Sequence, residues 1–262
     1  MARDRMQKQR FELKYLINEE TALLVRDFVR SYIDFDEYSV GKADFSYPVH
    51  SLYLDSDDLK LYWETINGNK NRYKLRLRYY STNPDAPVFF EIKRRVNNCI
   101  LKQRGGVRQD CVELLLKGHL PQAEHLVSRG PNHLVALQNF CHLAQQIHAK
   151  PKVHIFYMRE AYVSDDDQSR ITLDRRVYGD PHLDYGISTD LKDPRMSFAG
   201  HVILELKFTN RFPDWFRELV RVFGVMQCGA AKYCDSVQAI GFRKLDAVLP
   251  VLEERSPLGR SW

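Results

Sequence analysis

Two stretches of the sequence alternate charged or polar and apolar residues with a period of two. Residues 72–80 are RYKLRLRYY and residues 88–96 are VFFEIKRRV. In a β-strand, residues two apart point to the same face and lie about 6.7 Å from one another. The alternation therefore predicts strands with one charged face and one apolar face, whereas a helix would need apolar residues every three or four positions.

Weaker alternation predicts further strands, and the short turns between several of them favour antiparallel pairing. The predicted strands cover residues 10–17, 49–55, 72–80, 88–96, 100–107, 152–163, 170–177 and 201–209. Helical patterns follow residue 18, fill much of 109–149, and return at 213–223 and 231–244. Without a repeat or linker, we expect one α+β domain at 10–246, between an N-terminal extension at 1–9 and a tail at 247–262.

The predicted strands place an excess of basic side chains on one face. That face carries Glu12, Lys14, Lys74, Arg76, Arg78, Glu91, Lys93, Arg95, Lys102, Arg104, Tyr157, Arg159, Arg170, Thr172, Asp174, Glu205 and Lys207. An open sheet could leave this face in water, but a closed antiparallel barrel with a polar interior and helices outside accounts better for so many charged faces. Two cations about 6.7 Å apart repel by roughly 2.5 kcal/mol at an effective dielectric near 20, so such an interior needs a polyanion.

The carboxylates on this face suggest a hard metal ion. Glu12, Glu91 and Glu205 would repel a bare anion, but Mg²⁺ or Mn²⁺ could bridge them to phosphate oxygens. The alternative is that each glutamate pairs with a neighbouring arginine or lysine. We expect Glu205 to be the strongest candidate for a metal ligand.

Composition excludes several classes of protein. The chain has 262 residues and a net charge of +5, too small for a histone-like coat. Neither a secretory signal nor a segment of about 20 apolar residues is present, so we expect a soluble, cytoplasmic protein without a membrane segment of its own. The five cysteines lack zinc-ligand spacing, and reduced thiols are expected.

The order of the motifs resembles that of a known family. The motifs are Arg10-x-Glu12-x-Lys14-Tyr15, Ser51-Leu-Tyr-Leu-Asp55, the basic run from Arg72 to Tyr80, Glu91-Ile-Lys93-Arg-Arg95, Tyr157-x-Arg159, Arg170-x-Thr172-x-Asp174, Glu205-x-Lys207 and Lys232-Tyr233. Over residues 10–240 they resemble the VTC domain, the polyphosphate polymerase domain of the vacuolar transporter chaperone complex. That domain also occurs in bacterial proteins and belongs to the triphosphate tunnel metalloenzyme (CYTH-like) superfamily.

The resemblance implies a closed eight-stranded antiparallel tunnel that binds a nucleoside triphosphate, inorganic polyphosphate and a divalent metal, commonly Mn²⁺. It implies that Glu205 binds the metal and that Lys232 opens the last helix. The implied phosphate-binding residues are Lys14, Arg76, Arg78, Lys93, Lys102 or Arg104, Arg159 and Arg170, with Tyr157 beside them; the charged face adds Lys74 and Lys207. Ala231 departs from the family, which tends to carry serine there, so one hydroxyl donor is missing.

The expected activity is transfer of the γ-phosphate of ATP to a growing polyphosphate chain, with Lys14, Arg76, Arg78, Lys93, Arg159, Glu205 and Lys232 as the catalytic set. Hydrolysis by the same site, as a triphosphatase, and binding without turnover, as a polyphosphate or nucleotide sensor, stay open. Specific nucleic-acid binding is disfavoured because most strand aromatics lie on the face opposite the cations. The sequence does not indicate an oligomeric state.

Overall fold

The computed structural model of the chain describes residues 10–97, 99–128 and 130–248. The predicted extension at 1–9 and residues 249–262 of the predicted tail lie outside the described residues. The described strands are β1 (Arg10–Ile17), β2 (Asp34–Phe35), β3 (Ser46–Asp55), β4 (Asn71–Tyr79), β5 (Val88–Val96), β6 (Cys99–Val107), β7 (Lys150–Val163), β8 (Ser169–Pro181), β9 (Arg195–Met196) and β10 (Val202–Thr209). The described α-helices are α1 (Glu19–Val29), α2 (Lys60–Ile66), α3 (Val112–Leu116), α4 (Pro131–Gln146), α5 (Asp214–Val222) and α6 (Lys232–Ile240).

The strands form one antiparallel sheet. Its order is β2-β7-β3-β4-β5-β6-β1-β10-β8-β9, and β7 also pairs with β8. Strand β1 pairs with β10 along its whole length, but its ladder with β6 is the single pair Arg10–Ile100.

The expectation of a mixed fold with an antiparallel sheet flanked by helices is confirmed, but the predicted strand number is corrected. The sheet has ten strands within the described residues, not eight. The two additional strands, β2 and β9, are not predicted from the sequence because each has two residues, too few to produce a periodic pattern. A closed eight-stranded tunnel is not confirmed as such, since the β1–β6 junction is reduced to one pair.

The apolar face of the central strands packs against α4. Leu75 and Leu77 of β4 and Phe90 of β5 form one buried cluster with Leu137 and Phe140. Burial of each such side chain contributes roughly 1.5–3 kcal/mol. These contacts hold β4 and β5 in the register that aligns their charged residues on the other face.

A second apolar cluster holds β10 in position. Leu204 and Leu206 alternate with the charged residues of that strand and pack with Val25 of α1 and with Phe216 and Leu219 of α5. Strand β10 therefore shows the alternation predicted from the sequence, with apolar residues on one face and charged residues on the other.

Helix α6 lies against the charged face. Ile203 is two residues from Glu205 and shares its face, yet it belongs to a buried apolar cluster with Val237 of α6. Gly179 of β8 permits this close approach, because a Cβ atom there would lie 2.5 Å from the Cβ of Ser236. One end of the charged face is thus apolar and covered by a helix.

Candidate functional site

Side chains from β1, β4 to β8 and β10 meet on the charged face, together with the first residue of α6. The ladders place them side by side: Lys14 lies opposite Glu205, and Glu205 lies opposite Thr172. On the neighbouring strands, Arg76 lies opposite Glu91. Residues far apart in the sequence therefore form one polar site, because the charged residues of each strand point to the same face of the sheet.

Glu205 is the centre of the site and is only 4% exposed. Its carboxylate lies 2.6 Å from Nζ of Lys207, 2.9 Å from Nζ of Lys232, 3.2 Å from Nζ of Lys14 and 3.5 Å from the guanidinium of Arg159. Burial alone would raise the pKa of Glu205, but the surrounding cations outweigh burial and hold the pKa well below its usual range. Glu205 is therefore ionised at neutral pH.

A second buried carboxylate, Asp174, has no role in the sequence-based hypothesis. Arg159 donates two hydrogen bonds to it, each of 2.7 Å, and Nζ of Lys232 lies 2.6 Å from it. These cations lower the pKa of Asp174 against the opposing effect of burial. The alternation put Asp174 on the charged face, and a role could have been inferred from its position beside Arg159, but only the β7–β8 ladder makes them neighbours.

The other two predicted carboxylates are also paired with cations. Glu91 accepts from the guanidinium of Arg76 at 2.6 and 2.8 Å and lies 2.5 Å from Nζ of Lys102. Glu12 accepts from Nζ of Lys93 at 2.9 Å and lies 3.2 Å from Nζ of Lys14. The arrangement corresponds to the alternative in which each glutamate neutralises neighbouring basic groups.

The carboxylates do not form a metal cluster of protein ligands alone. Across the described residues, no group of three or more histidine, cysteine, aspartate or glutamate side chains could hold a metal ion. Mg²⁺ is usually bound by one or two carboxylates together with waters and substrate phosphates. Glu205, alone or with Glu12 on the other side of the Lys14 ammonium, is compatible with that kind of site.

Two cations near the centre of the site form no ion pair with a described carboxylate. Arg78 is 5% exposed, and it forms no ion pair within 4 Å with any described residue, although its charge helps to lower the pKa of Glu91. Its Nε atom is buried without a hydrogen-bond partner. Lys74 likewise has no ion pair within the described part of the chain; burial, assisted by repulsion from Lys14 and Lys93, lowers its pKa.

Tyr157 stands among three cations. Its ring centroid is 5.0 Å from Nζ of Lys232, 5.2 Å from the guanidinium carbon of Arg159 and 5.8 Å from that of Arg78. Such contacts are attractive by roughly 0.5–2 kcal/mol. The ring therefore holds the cations close together without neutralising them.

The structure places Arg170 and Arg104 toward the edge of the site. Arg170 donates to the Asp36 carboxylate at 2.6 Å and is 38% exposed. Arg104 is exposed, with its guanidinium carbon 4.8 Å from the Phe89 ring, and it forms no ion pair with a described residue. Both basic residues therefore lie at the rim rather than in the centre, and Arg170 is paired with Asp36 there.

Tyr53 is a further member of the site that sequence reasoning missed. The guanidinium of Arg76 donates to its hydroxyl at 3.2 Å, and the ring stacks on that of Tyr233. Burial would raise its pKa, but Arg76, Lys74 and Arg78 together lower it to about 8. The Ser51-Leu-Tyr-Leu-Asp55 motif contained this tyrosine, although nothing in the motif indicated its neighbours.

Helix α6 delivers Lys232 to the carboxylates. The helix begins at Lys232, and the preceding Ala231 provides no side-chain cap. Tyr233 donates to the buried Asp55 carboxylate at 2.8 Å, which ties the first turn of the helix to β3. Lys232 is therefore held between Glu205 and Asp174 by a helix anchored on the opposite side of the site.

Comparison with known proteins identifies the family. The VTC domain model matches residues 9–240, and the chain belongs to the VTC domain family. "Vacuolar transporter chaperone complex subunit 4" of Schizosaccharomyces pombe is 25% identical over 206 residues, which cover 66% of this chain and 29% of that protein. The chain thus spans less than a third of this relative.

A solved structure described as a putative adenylate cyclase from Bacillus halodurans is also similar, at 18% sequence identity and a TM-score of 0.47, covering 86% of this chain and 96% of the other. Among the described residues, no helix has both the length and the apolar character needed to cross a membrane.

Proposed function

We propose that this chain binds the phosphates of a nucleoside triphosphate at the charged face and transfers the γ-phosphate to inorganic polyphosphate. The observation that carries this proposal is Arg78, a buried guanidinium that forms no ion pair with a described carboxylate. Lys74, on the other side of Arg76 along the same face of β4, also has no ion pair within the described residues. An unpaired buried charge costs several kcal/mol. An anionic ligand at this position offsets that cost, and successive groups of a phosphate chain could accept hydrogen bonds from the cations along this face.

The shape of the site is part of the proposal. Strands β7, β3, β4, β5, β6, β1, β10 and β8 each have two paired neighbours once the β7–β8 ladder is included. We propose that these eight strands enclose the charged face as a tunnel, with α6 at one end. A tunnel excludes water, which strengthens each phosphate–cation contact.

Phosphoryl transfer requires positioning and charge neutralisation more than a covalent intermediate. Arg76, Arg78 and Lys74 hold the β- and γ-phosphates, while Arg159 and Lys232 neutralise the charge that develops during transfer. A terminal oxygen of polyphosphate attacks the γ-phosphorus as the bond to the bridging β,γ-oxygen breaks. ADP leaves, and the polyphosphate chain is longer by one phosphate.

Mg²⁺ or Mn²⁺ is the cofactor proposed for this site. Glu205, with Glu12 as the second carboxylate, would hold it together with phosphate oxygens. When bound, the ion neutralises phosphate charge and fixes the orientation of the triphosphate. Lys14 lies 3.2 Å from both carboxylates and offsets the repulsion between them.

Binding without turnover is the second candidate, and Ala231 favours it. Because α6 begins without a side-chain hydroxyl at its N-cap, the site has one donor fewer than the family pattern. Backbone N–H groups at the helix start still bind phosphate. A sensor of polyphosphate or nucleotide would retain the cations that bind phosphate but would not catalyse phosphoryl transfer. Hydrolysis of a triphosphate is the third outcome, since water and polyphosphate are alternative acceptors.

The test is incubation with ATP and Mn²⁺, followed by phosphorus NMR of the products. Polyphosphate formed by the wild type and by the exposed control Arg108→Gln, but not by Glu205→Gln or Arg78→Gln, supports polymerase activity. Orthophosphate without chains supports hydrolysis instead, and tight polyphosphate binding with neither product supports the sensor. A protein that binds neither ATP nor polyphosphate refutes the proposal.

A further inference from the structure

Three tyrosines lie together at the rim of the charged face. The rings of Tyr38 and Tyr80 are parallel, with centroids 6.4 Å apart. Both are exposed, by 62% and 43%, whereas Tyr47 beneath them is 7% exposed. The centroid of Tyr47 lies 5.9 Å from that of Tyr38 and 6.2 Å from that of Tyr80.

This aromatic group adjoins the cations of the site. Tyr80 comes two residues after Arg78, which corresponds to about 6.7 Å along an extended chain. Tyr47 lies opposite Arg159 in the β3–β7 ladder. The hydroxyl of Tyr47 donates to Asp36 at 3.3 Å, and the same carboxylate binds Arg170.

The chemistry of these rings does not suit a bare phosphate chain. Inorganic polyphosphate has no apolar or aromatic part with which exposed tyrosine faces could interact. A nucleotide has a planar aromatic base joined through ribose to its phosphates, and base–aromatic stacking contributes substantially to nucleotide binding. Aromatic rings beside the arginines therefore match a ligand that is anionic at one end and aromatic at the other.

We propose that Tyr38 and Tyr80 form a stacking subsite for the base of the nucleotide, with Tyr47 as its floor. This inference rests on the proposed function, because it assigns the second half of the same ligand. Stacking uses the face of the base, which every base has. The subsite thus favours nucleoside triphosphates over inorganic tripolyphosphate, and it favours the larger purines without separating ATP from GTP.

The test compares two ligands that differ only by the nucleoside. Isothermal titration calorimetry measures the Kd of ATP and of inorganic tripolyphosphate for the wild type and for Tyr38→Ala/Tyr80→Ala. We expect the wild type to bind ATP about tenfold more tightly than tripolyphosphate, and the double variant to lose that preference. The Kd of tripolyphosphate should change less than about twofold, because neither ring contacts phosphate.

Two controls separate stacking from other effects. Tyr38→Phe/Tyr80→Phe retains the rings and should retain the preference for ATP. Tyr32→Ala removes another exposed tyrosine, one that stacks on Trp215 of α5, and should leave both affinities unchanged.

The outcomes distinguish this inference from the proposed function. Equal wild-type affinity for ATP and tripolyphosphate, or equal weakening of both ligands in the alanine variant, overturns the stacking subsite and leaves phosphate binding intact. Failure of the wild type to bind either ligand overturns both proposals.

Discussion

Arg76 and Arg78 are two residues apart on β4, share one face and have different surroundings. Arg76 is neutralised by Glu91 and hydrogen-bonded to Tyr53. Arg78 has neither kind of partner among the described residues, and its nearest aromatic contact is Tyr157. Arg78 is therefore the cation that the proposed phosphate ligand would neutralise, whereas Arg76 is partly a structural ion pair.

We predict opposite stability effects for these two arginines. Arg78→Met removes an unpaired buried charge and should raise the free energy of unfolding by about 1 kcal/mol while abolishing tight polyphosphate binding. Arg76→Met removes the two hydrogen bonds that Arg76 donates to the buried Glu91 carboxylate and should lower the free energy of unfolding by about 1–3 kcal/mol. Urea denaturation and calorimetric titration measure the two effects; a loss of stability in Arg78→Met would contradict the assignment.

Asp174 is predicted to hold two cations in place in the absence of ligand. Asp174→Asn removes one of the two carboxylate charges that Arg159 and Lys232 share, leaving only Glu205, and should cost about 3 kcal/mol of stability. Added polyphosphate should raise the melting temperature of this variant more than that of the wild type, because phosphate supplies the missing negative charge. Thermal melts with and without polyphosphate test this, and equal ligand-induced shifts would argue against it.

At the scale of elements, the position of α6 controls the site. The helix carries Lys232 to Glu205 and packs its other residues on β8 and β7. Its approach depends on the absence of a side chain at Gly179. A displacement of the helix would move Lys232 without changing any residue of the charged strands.

We predict that Gly179→Ala displaces α6. The new Cβ would lie 2.5 Å from the Cβ and 2.7 Å from the Oγ of Ser236, so the helix must shift at a cost of about 1–3 kcal/mol. Affinity for polyphosphate should fall with stability, because Lys232 moves with the helix. Gly186→Ala is the matched control, since nothing lies within 4 Å of a Cβ there; equal behaviour of the two variants would reject the prediction.

At the scale of the whole molecule, the net charge of +5 conceals a local concentration of cations. Basic residues exceed carboxylates on the charged face, and the carboxylates present are held ionised by their neighbours. Folding lowers the pKa of Glu12, Glu91, Glu160, Asp174 and Glu205. Stability is therefore tied to the ionisation of these groups.

The metal-free protein is predicted to lose stability in acid. A carboxylate with a lowered pKa stabilises the fold above its unfolded pKa near about 4, and this contribution is lost as the pH falls through the folded value. Asp55 opposes the trend, because burial raises its pKa, but the lowered groups outnumber it. Burial also lowers the pKa of His50 to about 4 and that of His154 to about 3, so the unfolded chain binds more protons already below about pH 6.5. The urea midpoint should therefore begin to fall below about pH 6.5 and fall more steeply below pH 5; a constant midpoint down to pH 3 would contradict this.

Much of the charged face was predictable because alternation is a local property. Lys14, Arg76, Lys93 and Glu205 were assigned to one face from period two alone, and the ladders place them together. Helix α1 was also predictable, since Asn18 caps it by accepting from the backbone N–H of Thr21. The two-residue strands β2 and β9 were not, because so short a segment has no period.

Partner choice within the site was not predictable. Nζ of Lys14 donates to the carbonyl oxygen of Ala230, 216 positions away, and no local pattern encodes such a contact. The same limitation applies to Asp174, whose importance depends on the β7–β8 ladder, and to Arg78, whose lack of a partner is a property of everything around it.

The sequence by itself determined which residues alternate, which chemistry they bring and to which family the chain belongs, because these depend on order along the chain. The tertiary structure alone decided which cations form ion pairs with carboxylates and which do not. It also decided that α6 covers one end of the charged face and that Tyr38 and Tyr80 meet at its rim. Those features depend on distances between remote segments, which only the packed sheet and helices set.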